Sequence, residues 1–168
     1  MTTLRFPVAV VMQRTPLANR WVSERWEPVS VDAMPADAGD PLPRRLADEA
    51  GATRWRFADH VVELHRSEAE GYYLNLSAPD PKVFVMWRLA DDGTEPAARP
   101  WIVTVSYNQA ARMLDGGEQV DAVPMSAQIR AWLEPYVAEH YKPEPRRKVK
   151  RNDPFANGAS ARPRVRRG

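Results

Sequence analysis

The sequence predicts an α+β protein, with an antiparallel curved sheet or small barrel of six or seven strands covered by two C-terminal helices. Strand-like patterns fill the chain up to Val105, and helix-like patterns begin only after it. Because strands and helices are not interleaved, a parallel βαβ fold is excluded. The 168 residues, 43% hydrophobic and 27% charged, suffice for one soluble domain with its own core.

The first two strands are predicted near the N-terminus. Residues 6–12 alternate between larger and smaller apolar side chains, which predicts a strand with one packed face. Trp21–Val31 is extended, but Pro28 cannot donate a ladder hydrogen bond. We therefore expect this strand at a sheet edge, with a bulge near Pro28. Residues 32–53, with three prolines and two glycines, predict a long loop with one or two helical turns within 43–50.

The remaining strands follow in a block between residues 53 and 105. Ala58-Asp59 is either a tight turn between two strands or a bulge within one long strand. Residues 82–90 are apolar on both faces, so this strand should be central and covered on both sides. The block as predicted comprises Thr53–Phe57, His60–Arg66, Gly71–Ser77, Lys82–Ala90 and Trp101–Val105.

Two helices are predicted at the end of the domain. Ser106 and Gln109 have the spacing of a capping box, which predicts a short helix to Leu114. A second helix should begin near Pro124 and carry an apolar stripe kinked at Pro135. The stripe consists of Ile129, Trp132, Leu133, Tyr136, Val137 and His140.

Charge divides the chain into a domain over residues 1–142 and a tail over 143–168. The tail holds nine basic and two acidic residues, a net charge of +7, whereas residues 1–142 carry 15 basic and 20 acidic residues. With few core-forming residues, the tail is predicted to be disordered. Residues 146–168 could bind nucleic acid by counterion release, or serve as a solubilising or partner-docking tail.

Several classes of protein are excluded by what the sequence lacks. It contains no cysteine, so disulfides, thiolate metal sites and a cysteine nucleophile are ruled out. No apolar run reaches the ~20 residues of a membrane span, and we expect a cytoplasmic protein. Walker, dinucleotide-binding, Gly-x-Ser-x-Gly and His-Glu-x-x-His motifs are absent, and we expect no cofactor or metal.

The candidate catalytic residues are Glu63, His65 and Glu70. Glu63 and His65 share one face of their strand and could act as a base and its orienting partner. His60 falls on the other parity, with Val62, so a bulge is needed to bring the histidines together. Glu70 belongs to a turn predicted before Gly71. A solvated strand face and solvated turn acids are the simpler interpretation.

The candidate partner-binding residues are Arg20, Trp21, Arg25 and Trp26. Tryptophan and arginine are enriched where proteins grip their partners. A tryptophan in a strand can instead bury its large side chain in the core. Residues five apart in a strand point to opposite faces. We expect Trp26, which shares parity with Val22, in the core, and Arg20 and Trp21 at the surface.

Three segments carry a resemblance to a known family. They are Arg14–Trp21 with Trp26, Ser67–Ser77, and Thr104–Arg112 with Asp115–Asp121. Over residues 5–145 the chain is similar to an uncharacterised bacterial family, domain-of-unknown-function family 3305, often encoded beside formate dehydrogenase genes. The resemblance implies a cytoplasmic accessory protein of a molybdenum-dependent formate dehydrogenase system and assigns no catalytic residue.

The predicted function is therefore a non-catalytic binding protein for maturation or assembly of such a dehydrogenase, with one of its subunits or a maturation factor as partner. The alternatives are a small enzyme of molybdenum-cofactor biosynthesis and a nucleic-acid-binding protein. Some members of the family are labelled molybdopterin-guanine dinucleotide biosynthesis proteins. That activity needs a glycine-rich nucleotide loop after the first strand, yet no glycine precedes Gly39.

Overall fold

The computed structural model describes residues 4–35 and 39–143. Within them the chain forms seven strands and three α-helices, and a 3₁₀ turn at Arg66–Glu68 leads into the first helix. The strands are β1 (Arg5–Pro16), β2 (Glu24–Ala33), β3 (Arg44–Arg45), β4 (Thr53–Glu63), β5 (Lys82–Leu89), β6 (Ala98–Thr104) and β7 (Gln119–Pro124). The helices are α1 (Ala69–Ser77), α2 (Tyr107–Asp115) and α3 (Ala127–His140).

The strands form two antiparallel sheets. One has the order β2-β1-β4-β3 and the other the order β6-β5-β7. The sheets approach each other where β2 meets β7 and where β4 meets β6, here named the β2/β7 seam and the β4/β6 seam. The α+β class and the antiparallel pairing are confirmed. The single curved sheet or small barrel is wrong, because no strand ladder joins the two sheets across either seam in the described residues.

The core lies between the sheets and continues under α1 and α3. Val8, Val10 and Val85 are fully buried from the two central strands. The helices close one end of this core, where the Tyr72 and Tyr136 ring centroids lie 6.0 Å apart. Helix α2 contacts β5 and β7, so β5 is both central and covered by a helix, as its apolar faces predict.

Two bulges set the directions of the side chains in β2 and β4. The register between β1 and β2 shifts at Val29, which brings Trp26 and Val31 both into the core. The register between β1 and β4 shifts at Ala58 and Asp59, so β4 is one long bulged strand. Both bulges were predicted, the second as one of two alternatives. The edge position of β2 is also confirmed.

Four local predictions are wrong. Residues 71–77 form α1, because Tyr72 and Asn75 at helical spacing are both buried and the small Gly71 packs against Ser106. Residues 43–50 form the short β3 and a bridge from Glu49 to Ala52 in place of helical turns. The final strand β7 was missed, since its largely exposed residues form no alternating pattern. Helix α3 starts after Ser126, whose side chain caps it, and not at Pro124.

Both predicted C-terminal helices exist, and α1 is a third. The Ser106 hydroxyl accepts a hydrogen bond from the Gln109 amide at 3.1 Å, which confirms the predicted N-cap of α2. On α3, the stripe residues Ile129, Leu133 and Tyr136 are buried. None of the helices in residues 4–35 and 39–143 is long and apolar enough to cross a membrane. The predicted disordered tail lies, except for Pro143, outside the described residues.

Candidate functional site

The connection between β1 and β2 presents an exposed tryptophan. The Leu17 amide donates to the Ser23 carbonyl at 3.0 Å and closes residues 17–23 into the Trp21 loop. Inside it, the Trp21 amide donates to Asn19 Oδ1 at 2.9 Å, a local turn that asparagine favours. Trp21 is 85% exposed, and Arg20 beside it is exposed as well. The loop therefore holds a large apolar side chain out in solvent.

Trp26, in contrast to Trp21, is buried. It is only 8% exposed, its ring centroid lies 5.2 Å from that of Trp55, and its indole nitrogen donates to Glu24 at 3.3 Å. The guanidinium of Arg14 lies over both rings, 5.7 Å from Trp26 and 5.0 Å from Trp55. The prediction that Trp26 packs in the core while Trp21 and Arg20 lie at the surface is confirmed. Its parity argument was wrong, because Val22 is exposed in the loop.

Arg25 lies apart from Trp21 as well. Its guanidinium pairs with Glu27 at 2.6 Å. Together with Trp26 it lines a cleft of about 410 Å³ at the β2/β7 seam. On the opposite wall, the Trp87 indole donates to Asp121 at 2.7 Å. The four predicted partner-binding residues are therefore divided between an exposed loop and a seam whose polar groups bind one another.

The β4/β6 seam contains a cleft of about 350 Å³, here named the β4/β6 cleft. Glu63 and His65 both line it, and His65 Nε2 lies 3.8 Å from Glu63 Oε2. Arg5 Nε lies 3.2 Å from Glu63 Oε1. The predicted pair is therefore close in space, in a cleft whose other wall includes the exposed Trp101 of β6. The two side chains are at an ion-pair distance that is longer than a hydrogen bond.

His60 joins the same cleft, which the parity argument did not predict. Its side chain is 17% exposed, packs edge-on against Phe57 and lies 3.5 Å from Asp59. Burial lowers the pKa of His60 below its usual 6.5, and the nearby Asp59 partly opposes that shift. The bulge at Ala58-Asp59 does not explain this placement, because it precedes all three residues and the pairing from His60 to Glu63 is regular.

The backbone beneath the cleft is anchored by Tyr72 of α1. Its hydroxyl accepts a hydrogen bond from the His65 amide at 2.9 Å. Burial raises the pKa of Tyr72 to about 12, so the hydroxyl stays protonated at neutral pH. The segment that carries Glu63 and His65 is therefore fixed from the core side, a contact that the sequence pattern gives no means to foresee.

Glu70 is not part of the cleft. It lies exposed in the first turn of α1, and the predicted turn before Gly71 is instead the start of this helix. Among the described residues, no group of three or more His, Asp and Glu side chains could hold a metal ion. Glu70 is therefore no longer a candidate acid–base group. The candidates are Glu63, His65 and His60.

Glu68 belongs to a partly buried polar cluster where α1 meets α2, here named the α1–α2 junction and formed by Glu68, Gly71, Asn75, Ser106 and the exposed Arg112. The fully buried Ser106 hydroxyl donates to Glu68 at 2.5 Å, and Arg112 pairs with the same carboxylate. The Asn75 amide donates to the carbonyls of Lys82 and Val105 at 2.7 and 2.8 Å. Because Ser106 is closed off from solvent, this serine–carboxylate pair serves the fold and not catalysis.

A comparison with known families decides what the chain is related to. The model of the family described as "Protein of unknown function (DUF3305)" matches residues 7–150. The chain belongs to this family. No curated protein and no solved structure matches it. The DUF3305 match includes nearly all of the described elements and continues to Lys150, past the last described residue.

Proposed function

We propose that this DUF3305 protein is a non-catalytic binding module that assists the maturation or assembly of a molybdenum-dependent formate dehydrogenase. One observation carries the proposal, which is the 85% exposure of Trp21 in a closed loop beside Arg20. The family resemblance supplies the expected partner, a dehydrogenase subunit or maturation factor. A cytoplasmic location is part of the same proposal.

The physical support is the apolar surface of the Trp21 indole, which is exposed to solvent and which a partner could cover. Tryptophan and arginine are over-represented among the few residues that dominate interface energetics. A large apolar side chain in solvent gains free energy when a partner covers it, about 25 cal/mol for each Å² of apolar surface removed from water. The hydrogen bonds at Leu17 and Trp21 order the loop beforehand, which lowers the entropy cost of binding.

Co-purification under conditions that express formate dehydrogenase tests the proposal. The tagged protein should retain a dehydrogenase subunit or a maturation protein, and Trp21→Ala should lose it. Trp101→Ala is the matched control, since Trp101 is also well exposed but lies at the β4/β6 seam. Failure of both the unmodified protein and Trp101→Ala to retain such a protein would contradict the proposal.

A second candidate function is favoured by the β4/β6 cleft. Here the protein is a small enzyme of molybdenum-cofactor biosynthesis in which His65 acts as acid–base group and Glu63 orients it. The supporting observation is the 3.8 Å separation of the two side chains inside one cleft. Arg5 competes for the same carboxylate at 3.2 Å, which weakens the candidate. Unchanged cofactor production in cells carrying His65→Gln would exclude it.

A further inference from the structure

The sheet with the order β2-β1-β4-β3 places two arginines directly opposite each other. Arg44 of β3 pairs in register with Arg56 of β4, so both side chains point to the same face of the sheet. Trp55 and Phe57, the neighbours of Arg56 in the chain, belong to the core cluster, so the arginines lie on the face turned away from the core. Side chains at opposed positions have Cβ atoms about 4.5–5.5 Å apart. Both guanidinium groups can therefore reach one bound group.

Neither arginine of this pair has an acidic partner among the residues that the structure describes. Arg44 is exposed and forms no side-chain hydrogen bond or ion pair there. Arg56 is half-buried, and its guanidinium donates one hydrogen bond, to Met34 Sδ at 2.8 Å. A thioether sulfur is a weak acceptor, whereas a guanidinium has five N–H donors. The pair thus combines two positive charges with donor groups that are available to a ligand.

A second pair of opposed arginines shows how the fold offsets such repulsion. Arg88 of β5 lies opposite Arg99 of β6, and like charges at opposed positions destabilise a sheet. At this pair Glu118 compensates the charge, because its carboxylate accepts two hydrogen bonds from Arg88, at 3.1 and 2.5 Å. Within the described chain, the pair of Arg44 and Arg56 has no such carboxylate, so its repulsion is left for a bound anion to offset.

We propose that Arg44 and Arg56 form an anion-binding site that takes the phosphate group of a small ligand. A phosphate monoester carries about −1.5 to −2 charge at neutral pH, which matches two guanidinium groups. Its oxygens can accept paired, charge-assisted hydrogen bonds from arginine, which are stronger than bonds between neutral groups. Arg54 lies on the same face but is paired with Glu49 at 2.6 Å, which leaves the two opposed arginines as the site.

This site is separate from the regions on which the proposed functions depend. Neither Arg44 nor Arg56 belongs to the Trp21 loop, and neither lines the β4/β6 cleft. Binding of a phosphate group therefore requires neither a protein partner at Trp21 nor acid–base chemistry at His65. Its test needs only the purified full chain.

Urea unfolding at neutral pH and fixed ionic strength tests the site, with sodium phosphate replacing sodium chloride. The fixed ionic strength keeps charge screening constant. A ligand that binds only the folded protein raises the urea midpoint by an amount that depends on its concentration and dissociation constant. We expect this rise for the unmodified protein. Arg44→Gln and Arg56→Gln should each weaken phosphate binding by about tenfold or more, as expected for lost charge-assisted hydrogen bonds.

Arg99→Gln is the matched control, because Arg99 is also opposed by an arginine across a strand pair. It should keep the full response of the unmodified protein, and it includes the general stabilisation that phosphate gives to folded proteins. Equal phosphate responses of Arg44→Gln and Arg99→Gln would overturn the proposal, as would no response of the unmodified protein beyond that in chloride. Since Arg44 is exposed, this comparison decides the matter even if Arg56→Gln fails to fold.

A second measurement separates a binding role of Arg44 from a structural one. In phosphate-free buffer of low ionic strength, Arg44→Gln should unfold at the same urea concentration as the unmodified protein or at a higher one, because the substitution removes the repulsion with Arg56. A lower midpoint of Arg44→Gln under these conditions would show that Arg44 stabilises the fold, and it would overturn the proposal.

Discussion

The Trp21 loop and the α1–α2 junction both lie within residues 7–150, which the family model matches, yet their prominent side chains have different surroundings. In the junction every prominent polar side chain has a partner, such as the Ser106 hydroxyl on Glu68 at 2.5 Å. In the loop the largest side chain is 85% exposed, and the turn beneath it is ordered by the Leu17 amide on the Ser23 carbonyl and by the Trp21 amide on Asn19 Oδ1. The contacts of the junction residues therefore stabilise the fold. The exposed side chain of Trp21 adds little to that stability, which makes Trp21 the better candidate for function.

Trp26→Ala should have the largest effect on stability. Removing a buried tryptophan side chain typically costs about 3–5 kcal/mol of unfolding free energy, because it loses transfer free energy and leaves a cavity. Urea denaturation measures the loss. Trp21→Ala, five residues away, should change the free energy of unfolding by less than about 0.5 kcal/mol. Equal losses in the two variants would remove the contrast between the loop and the core.

Gly71→Ala should come next and tests how tightly the junction is packed. A Cβ at residue 71 would overlap the buried Ser106 hydroxyl, and overpacking of this kind costs about 1–3 kcal/mol. Gly116→Ala is the control, since a Cβ there meets its nearest atoms at an ordinary 3.5 Å. If Gly71→Ala unfolds in urea like the control, the junction is looser than we infer.

Ser106→Ala should cost about 1 kcal/mol for the lost helix cap, plus a contribution from the Glu68 carboxylate, which keeps Arg112 but loses the Ser106 hydroxyl as a donor. Ser126→Ala supplies the comparison, because Ser126 caps α3 through the Ile129 backbone amide at 3.2 Å and, in the part of the chain that the structure describes, bonds to no carboxylate. The difference between the two variants in thermal or urea unfolding measures what Glu68 adds. A smaller cost at Ser106 than at Ser126 would contradict a cooperative junction.

How much of this could be predicted from the sequence differs between the two regions. The α2 cap was predictable because Ser106 and Gln109 are close along the chain, and the bulge near Pro28 because proline lacks an amide proton. Helix α1 was not predictable, since the contacts that stabilise it, from Asn75 to Val105 and from Ser106 to Glu68, are distant in sequence.

The residues of the candidate site also differ in whether the sequence predicts their positions. The exposure of Trp21 and the burial of Trp26 were predicted, but the strand parity used to predict them does not hold, because Trp21 and Val22 lie in a loop. The gathering of His60 with Glu63 and His65 was not predicted, and the bulge at Ala58-Asp59 does not account for it, since it precedes all three residues. Arg5 and Trp101 entered the β4/β6 cleft from other strands, a consequence of how the two sheets meet.

A smaller, pH-dependent effect should distinguish the cleft from the loop. The pKa of His60 is lowered by burial, so the unfolded chain takes up that proton more readily. The contribution of neutral His60 to stability is present above pH 6.5 and is lost as the pH falls through its folded pKa. His60→Gln should flatten the fall of the urea midpoint between pH 7.5 and 5, with the exposed His65→Gln as control. An unchanged slope in His60→Gln would contradict the inferred burial.

The most direct test of the central claim is the affinity of the full chain and of Trp21→Ala for the purified formate dehydrogenase or maturation protein that co-purifies with it. Hot-spot tryptophans contribute about 2 kcal/mol or more, which corresponds to a loss of affinity of at least about thirtyfold. We predict that loss with an unchanged urea midpoint. Equal affinity of the two proteins, or a loss explained by unfolding, would contradict the assignment of Trp21 as the partner-binding residue.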